Sequence, residues 1–218
     1  MAYTVIAAAQ WPETLERERS LSWVPDFGNE AGPPTIDGTR QFRNFNGGGI
    51  WRCAFNQVQL RSKAQVLAWM ALETTFRGGL TPVDVPYCGY RPAPATGDTV
   101  QVASYAGWAA RAMAGRVDLI NSTEIEPGHH FADYDPTVYG WRLYRIETVA
   151  AVSGSGTERD ITFWPPARFA VAASTGGHLL EFTRPRCVMQ LADSGSMDLE
   201  LELRKRGNPN AEFIECGV

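Results

Sequence analysis

The segment GHHFADYD, residues 128–135, gathers the densest set of side chains that can do chemistry. His129, His130, Asp133 and Asp135 offer imidazole and carboxylate groups, the donors that suit zinc and similar metals. The spacing HHxxDxD argues against such a site. Adjacent histidines point to opposite faces of an extended segment, and the only other histidine is His178. The segment is expected to be a surface loop that holds no metal. Nucleophilic catalysis has no better footing. No G-x-S-x-G elbow occurs, and no spacing nominates a Ser-His-Asp set. Carboxylates for glycoside cleavage exist at Glu124 and Glu126 and again at Asp198, Glu200 and Glu202. The first pair is expected in a loop and the second set on the wet side of a strand. Cys53 and Cys187 lie in apolar strand contexts, where thiols are inert. The expectation is a protein that is not an enzyme, with no catalytic residue and no cofactor.

Composition narrows the classes further. A chain of 218 residues fits one large β-rich domain or two small ones packed together. Two halves are expected: residues 1–115, with an N-terminal arm and the main helix, and residues 116–218, packed against it as one unit. The net charge is −4 and the densest basic cluster is Arg204-Lys205-Arg206, so no nucleic-acid partner is expected. Cys53, Cys88, Cys187 and Cys216 form no CxxC pair, and a chain of this size needs no disulfide framework, so all four are expected to be reduced. No basic region precedes the short apolar run near the N-terminus, and no apolar run approaches membrane-spanning length. A soluble protein without a membrane partner is expected. The 7 tryptophans and 14 prolines suit a loop-rich β protein with large contact surfaces.

These side chains must be positioned by a mainly β fold, an antiparallel sandwich or barrel with one main amphipathic helix. Tyr3 to Ala8 forms a possible strand, followed by a Pro- and Gly-rich arm, VPDFGNEAGPPTIDG. In GGGIWRCAFNQVQL, Trp51, Cys53 and Phe55 fall on one face of a half-buried strand. The glycines before it are no phosphate loop, since neither GK[ST] nor a helix follows. Ser62 and Gln65 make a capping box that opens a helix at about residues 62–77. Gly78 and Gly79 sit where a left-handed cap ends it, and Pro82 prevents resumption. At 100° per residue, its apolar and small side chains cover roughly 200°, wider than one stripe. Leu67 and Ala71 are expected against the chain's own sheet, and Val66 and Met70 toward something else. Downstream, YGWRLYRIETVAAV and ERDITFWPP form a hairpin through an SGSG turn. SMDLELELRK alternates most cleanly, and NAEFIECG is its expected antiparallel partner.

The order of these elements resembles the tail-tip proteins of long-tailed bacteriophages and gene-transfer particles, of the distal-tail or baseplate type. The shared pattern runs from Gly49 and Trp51 through Leu60, Arg61, Ser62, Ala64, Gln65, Ala68 and Trp69 to Arg77, Gly78, Gly79, Pro82, Val85 and Pro86. Weaker pieces follow at Gly128 and Phe131, Leu143 to Val149, Ile161 to Pro165, and Pro185 to Leu191. The resemblance implies a virion structural protein, a ring joining the tail tube to the baseplate or fibres. It would be a homo-oligomer, most simply a hexamer, made in the host cytoplasm and ending in the virion tail. Its partners would be itself, the tail tube protein, and baseplate hub or fibre proteins. Val66, Trp69 and Met70 are the expected subunit-interface residues. Two alternatives stand beside it. One is a tail-tube or tail-terminator subunit. The other is a carbohydrate-binding module contacting the host surface, with Trp108, Trp141 and Trp164 stacking on sugar rings.

Overall fold

The computed structural model describes residues 8–12, 15, 21–27, 29–31, 42–44, 49–56, 58–76, 81–104, 107–135, 140–154, 156–171, 178–193, 197 and 209–216. Fourteen strands and one helix lie in this part of the chain. They are β1 (Ala9–Gln10), β2 (Leu21–Asp26), β3 (Asn29–Ala31), β4 (Phe42–Asn44), β5 (Ile50–Phe55), α1 (Lys63–Phe76), β6 (Val83–Pro86), β7 (Gln101–Ser104), β8 (Ala114–Asn121), β9 (His130–Asp135), β10 (Gly140–Ala151), β11 (Glu158–Trp164), β12 (His178–Leu180), β13 (Arg186–Leu191) and β14 (Ala211–Glu215). The fold is mainly β with one helix, as the alternation of the sequence requires.

Two six-stranded sheets carry it. The first has the order β1-β6-β13-β14-β5-β2, the second β12-β7-β8-β11-β10-β9, and β3 and β4 form a separate hairpin. The second sheet is antiparallel throughout and nearly closes into a barrel. Ala132 in β9 and Glu181 after β12 exchange both backbone hydrogen bonds at 2.9 Å, which joins its two edges. Its interior is lined by Val102, Val117, Leu119, Phe131, Tyr144, Ile146, Ile161 and Phe163. The first sheet remains open. Its edge strand β2 contains Pro25, which has no N–H to lend a ladder and is tolerated at an edge.

The expected boundary at 115/116 falls inside β8. The chain leaves the first sheet after β6, builds the whole barrel, and returns to the first sheet with β13 and β14. Sheet membership therefore follows pairing across long sequence separations, not the halves of the chain.

The hairpin expected over residues 140–165 forms as β10 and β11, from Arg145 opposite Trp164 to Ala151 opposite Arg159. A different partner takes β14. Both of its edges are occupied, by β13 through Leu191 opposite Phe213 and by β5 through Cys53 opposite Phe213. No edge is left for the SMDLELELRK segment, most of which lies outside the described residues, as do Gly78, Gly79 and Arg204 to Arg206. Of the expected N-terminal strand only Ala8 is described, and the ladder there begins at Ala9, parallel to Val83.

The helix opens as its capping box dictates. The Gln65 N–H donates to Ser62 Oγ at 3.2 Å, and the Ser62 N–H donates to Gln65 Oε1 at 3.1 Å. Its inward face corrects the expected orientation. Val66, Trp69, Leu72 and Phe76, spaced 3, 3 and 4 residues apart, are buried in the core between helix and first sheet. Leu67 is 54% exposed and Met70 44% exposed, on the opposite side. The large side chains decide the rotation, because Trp69 and Phe76 remove far more apolar surface from water than Ala71 or Ala64.

Candidate functional site

The two sheets meet through the outer face of the barrel. In β9, β10 and β11, His130, Arg145 and Trp164 stand directly opposite one another in a cross-strand row. Period-two alternation puts Phe131, Tyr144 and Phe163 inside the barrel and leaves this row facing the first sheet. Trp51 of β5 covers it. Its ring lies 4.8 Å from Trp164, 5.5 Å from His130, and 5.8 Å from the Arg145 guanidinium carbon. Tyr87, just after β6, stacks on His130 at 4.0 Å. Trp23 of β2 closes the cluster at 5.8 Å from Tyr87 and 6.2 Å from Trp51. The Trp51 indole N–H donates to the Leu143 carbonyl at 2.8 Å, tying the first sheet to β10.

Gly49 is required where the chain enters this cluster. Its φ is +100°, a conformation that side chains avoid. A Cβ there would collide with the Trp164 ring and lie 2.8 Å from the Asp26 carbonyl oxygen.

Beside the cluster lies a buried charge network. Glu215 of β14 receives the Trp51 backbone N–H at 2.9 Å. Its Oε1 stands 3.2 Å from Arg142 Nε and 3.1 Å from Arg168 Nη2. The Arg142 contact has ion-pair distance without hydrogen-bond alignment at Nε. Arg142 also donates to the Gly49 carbonyl at 3.3 Å. Burial lowers the Arg142 pKa, partly offset by Glu215, and burial drives the Cys187 thiol well above its usual range. One carboxylate thus holds two arginines and two sheets. Sequence reading missed it, although a signal exists. Glu215 shares strand parity with Ala211 and Phe213, which places a carboxylate on the apolar face of AEFIE.

Cluster chemistry is set by burial. His130 is driven down to about 4, first by burial and then by the charge of Arg145, so its ring is neutral at neutral pH. Tyr87 is raised by burial and partly restored by Arg145. Three of the GHHFADYD side chains are engaged locally or in the cluster. His129 Nδ1 accepts the Glu126 N–H at 3.0 Å, His130 stacks on Tyr87, and Asp133 accepts the Tyr134 N–H at 2.8 Å. Among the described residues no group of three His, Cys, Asp or Glu could hold a metal. Residues 130–135 of the segment form a strand, β9, whereas the sequence predicts a surface loop. Glu124 pairs with Arg159 on the surface, which lowers its pKa. Cys53 and Cys187 are buried thiols, while Cys88 is exposed.

The expected interface residues fall on different sides. Val66 and Trp69 belong to the core, and the Trp69 indole N–H donates to the Met197 carbonyl at 3.3 Å. Of the three, only Met70 is exposed, and Leu67 joins it. Among the candidate sugar-stacking tryptophans, Trp108 and Trp164 are buried. Trp141 is half-buried, with the Arg186 guanidinium 5.2 Å from its ring centre and Tyr134 at 5.0 Å. No helix among the described residues is long and apolar enough to cross a membrane. Compared with protein-family models and with curated proteins, the chain matches none.

Proposed function

We propose that this protein is a virion structural subunit of a phage tail tip, self-assembling into a ring that joins the tail tube to the baseplate or fibres. The observation that carries the reading is the outward face of α1. Leu67 and Met70 stand exposed beside Ala64 and Ala71, opposite a face already filled by Trp69 and Phe76. A helix with a complete core face and a second apolar face suits a subunit that contacts another copy. Closed rings are built from such heterologous, head-to-tail contacts. The tail-tip resemblance is the second support. Several of its residues anchor the fold here: Trp51 at the seam, the Ser62 and Gln65 cap, Trp69 in the core, Pro82 before β6, and Val85 and Pro86 within it.

The test is the mass of the purified protein in solution, by light scattering at several concentrations. A closed ring, most simply a hexamer, is expected for the wild type. Leu67→Glu combined with Met70→Glu should leave a folded monomer that no longer assembles. A ring of unchanged mass in the double variant would refute the assignment of this face.

A further inference from the structure

Arg145 differs from the ion-paired arginines around the seam. Arg142 and Arg168 share Glu215, and Arg52 pairs with Asp26 at 2.9 Å. On the barrel surface, Arg116 pairs with Asp160 and Arg159 with Glu124. Among the described residues, Arg145 has no carboxylate and no carbonyl acceptor; its one contact of this kind is the Trp51 ring. It is half-buried in the middle of the cross-strand row, between His130 and Trp164. The ionisable groups acting on its neighbours Tyr87 and His130 are Arg145 itself, Cys88 and His129, none of them a carboxylate. A second donor of the same cluster, the buried indole Nε1 of Trp23, is also without an acceptor among the described residues.

A cation held over an aromatic ring gains about 0.5–2 kcal/mol. That contact leaves several of the five guanidinium N–H donors for an acceptor. In a partly desolvated setting those donors prefer an anion to a neutral carbonyl, and a carboxylate matches their fork bidentately. The half-buried Tyr87, stacked on His130, is close enough for the same charge to act on its hydroxyl.

We propose that Arg145, with Tyr87 beside it, forms a carboxylate-binding site at the seam between the two sheets. The carboxylate comes either from an acidic side chain of a second copy or from a small free acid. This goes beyond the ring reading and does not require it, since a monomer can bind a free carboxylate.

Tryptophan emission reports the site directly, because Trp51 lies under Arg145. Sodium acetate is titrated against sodium chloride at constant ionic strength, on wild type, Arg145→Gln, Arg145→Lys and the control Arg52→Gln. The free-acid arm expects a saturable emission change with acetate. That change should weaken by about tenfold or more in Arg145→Gln, less in Arg145→Lys, and not in Arg52→Gln. The second-copy arm expects Arg145→Gln to weaken self-association by a similar factor in sedimentation, with near-ultraviolet circular dichroism unchanged. An acetate response that persists in Arg145→Gln overturns the site. So does the absence of an acetate response together with unchanged association.

Discussion

His130 should make the seam sensitive to acid, and the size of the effect follows from its surroundings. The ring is 6% exposed, stacked on Tyr87 and tilted against Trp51, and faces the charge of Arg145. Burial and that charge both oppose protonation, bringing its pKa from 6.5 down to about 4. An unfolded chain binds this proton more readily than the folded one. Stability from a neutral His130 is therefore complete above pH 6.5 and is lost as pH falls from 6.5 toward 4. Between pH 6.5 and about 4, at 1.36 kcal/mol per pH unit, this corresponds to about 3 kcal/mol. His129 is shifted the same way by burial and adds to the slope, whereas Asp84, raised by burial, acts in the opposite sense. The measurement must therefore be a difference. Urea denaturation of wild type and His130→Phe, followed by tryptophan emission from neutral pH to about pH 4, isolates the one group, because phenylalanine preserves the stack and cannot titrate. The gap between the two stabilities should be constant above pH 6.5 and move by about 3 kcal/mol in favour of the variant as pH approaches 4. Parallel curves across the whole range would refute the argument and mean that the imidazole is solvated or that Arg145 does not act on it.

Two further outcomes test the core and the charge network. Glu215→Gln keeps the side-chain shape but leaves Arg142 and Arg168 without a counter-charge. It should cost about 3–5 kcal/mol in chemical denaturation, and Arg142→Met added to it should recover part of the loss. Trp69→Ala should cost about 3–5 kcal/mol, whereas Leu67→Ala on the exposed side of the same helix should stay within about 1 kcal/mol; the opposite ranking would restore the orientation expected from the helical pattern alone.

The parts of the fold legible in the sequence are those written locally. The Ser62 and Gln65 box, the alternation of Trp51, Cys53 and Phe55, and the two apolar runs around the SGSG turn each specify their element within a few residues. What escaped depends on partners far along the chain. The helix carries apolar or small residues on almost every side, so period alone could not choose a face. The choice belongs to the shape of the first sheet, which accepts Trp69 and Phe76. In the same way β14 offers two identical backbone edges, and nothing local says that β5 and β13 will take both before a following or preceding segment can. Glu215 and Arg142 lie on different sheets, and no spacing rule links them. Yet each leaves a trace in its own strand, a charge on the parity that should be apolar. Arg145 leaves no such trace, because its parity looks outward from the barrel and a charge is ordinary there. Only when the first sheet covers that outward face does it become an arginine at a seam with an aromatic ring beneath it and, among the described residues, no acid beside it. The residue that most resembles an ordinary surface charge in sequence is thus the one whose setting in the fold most calls for a ligand.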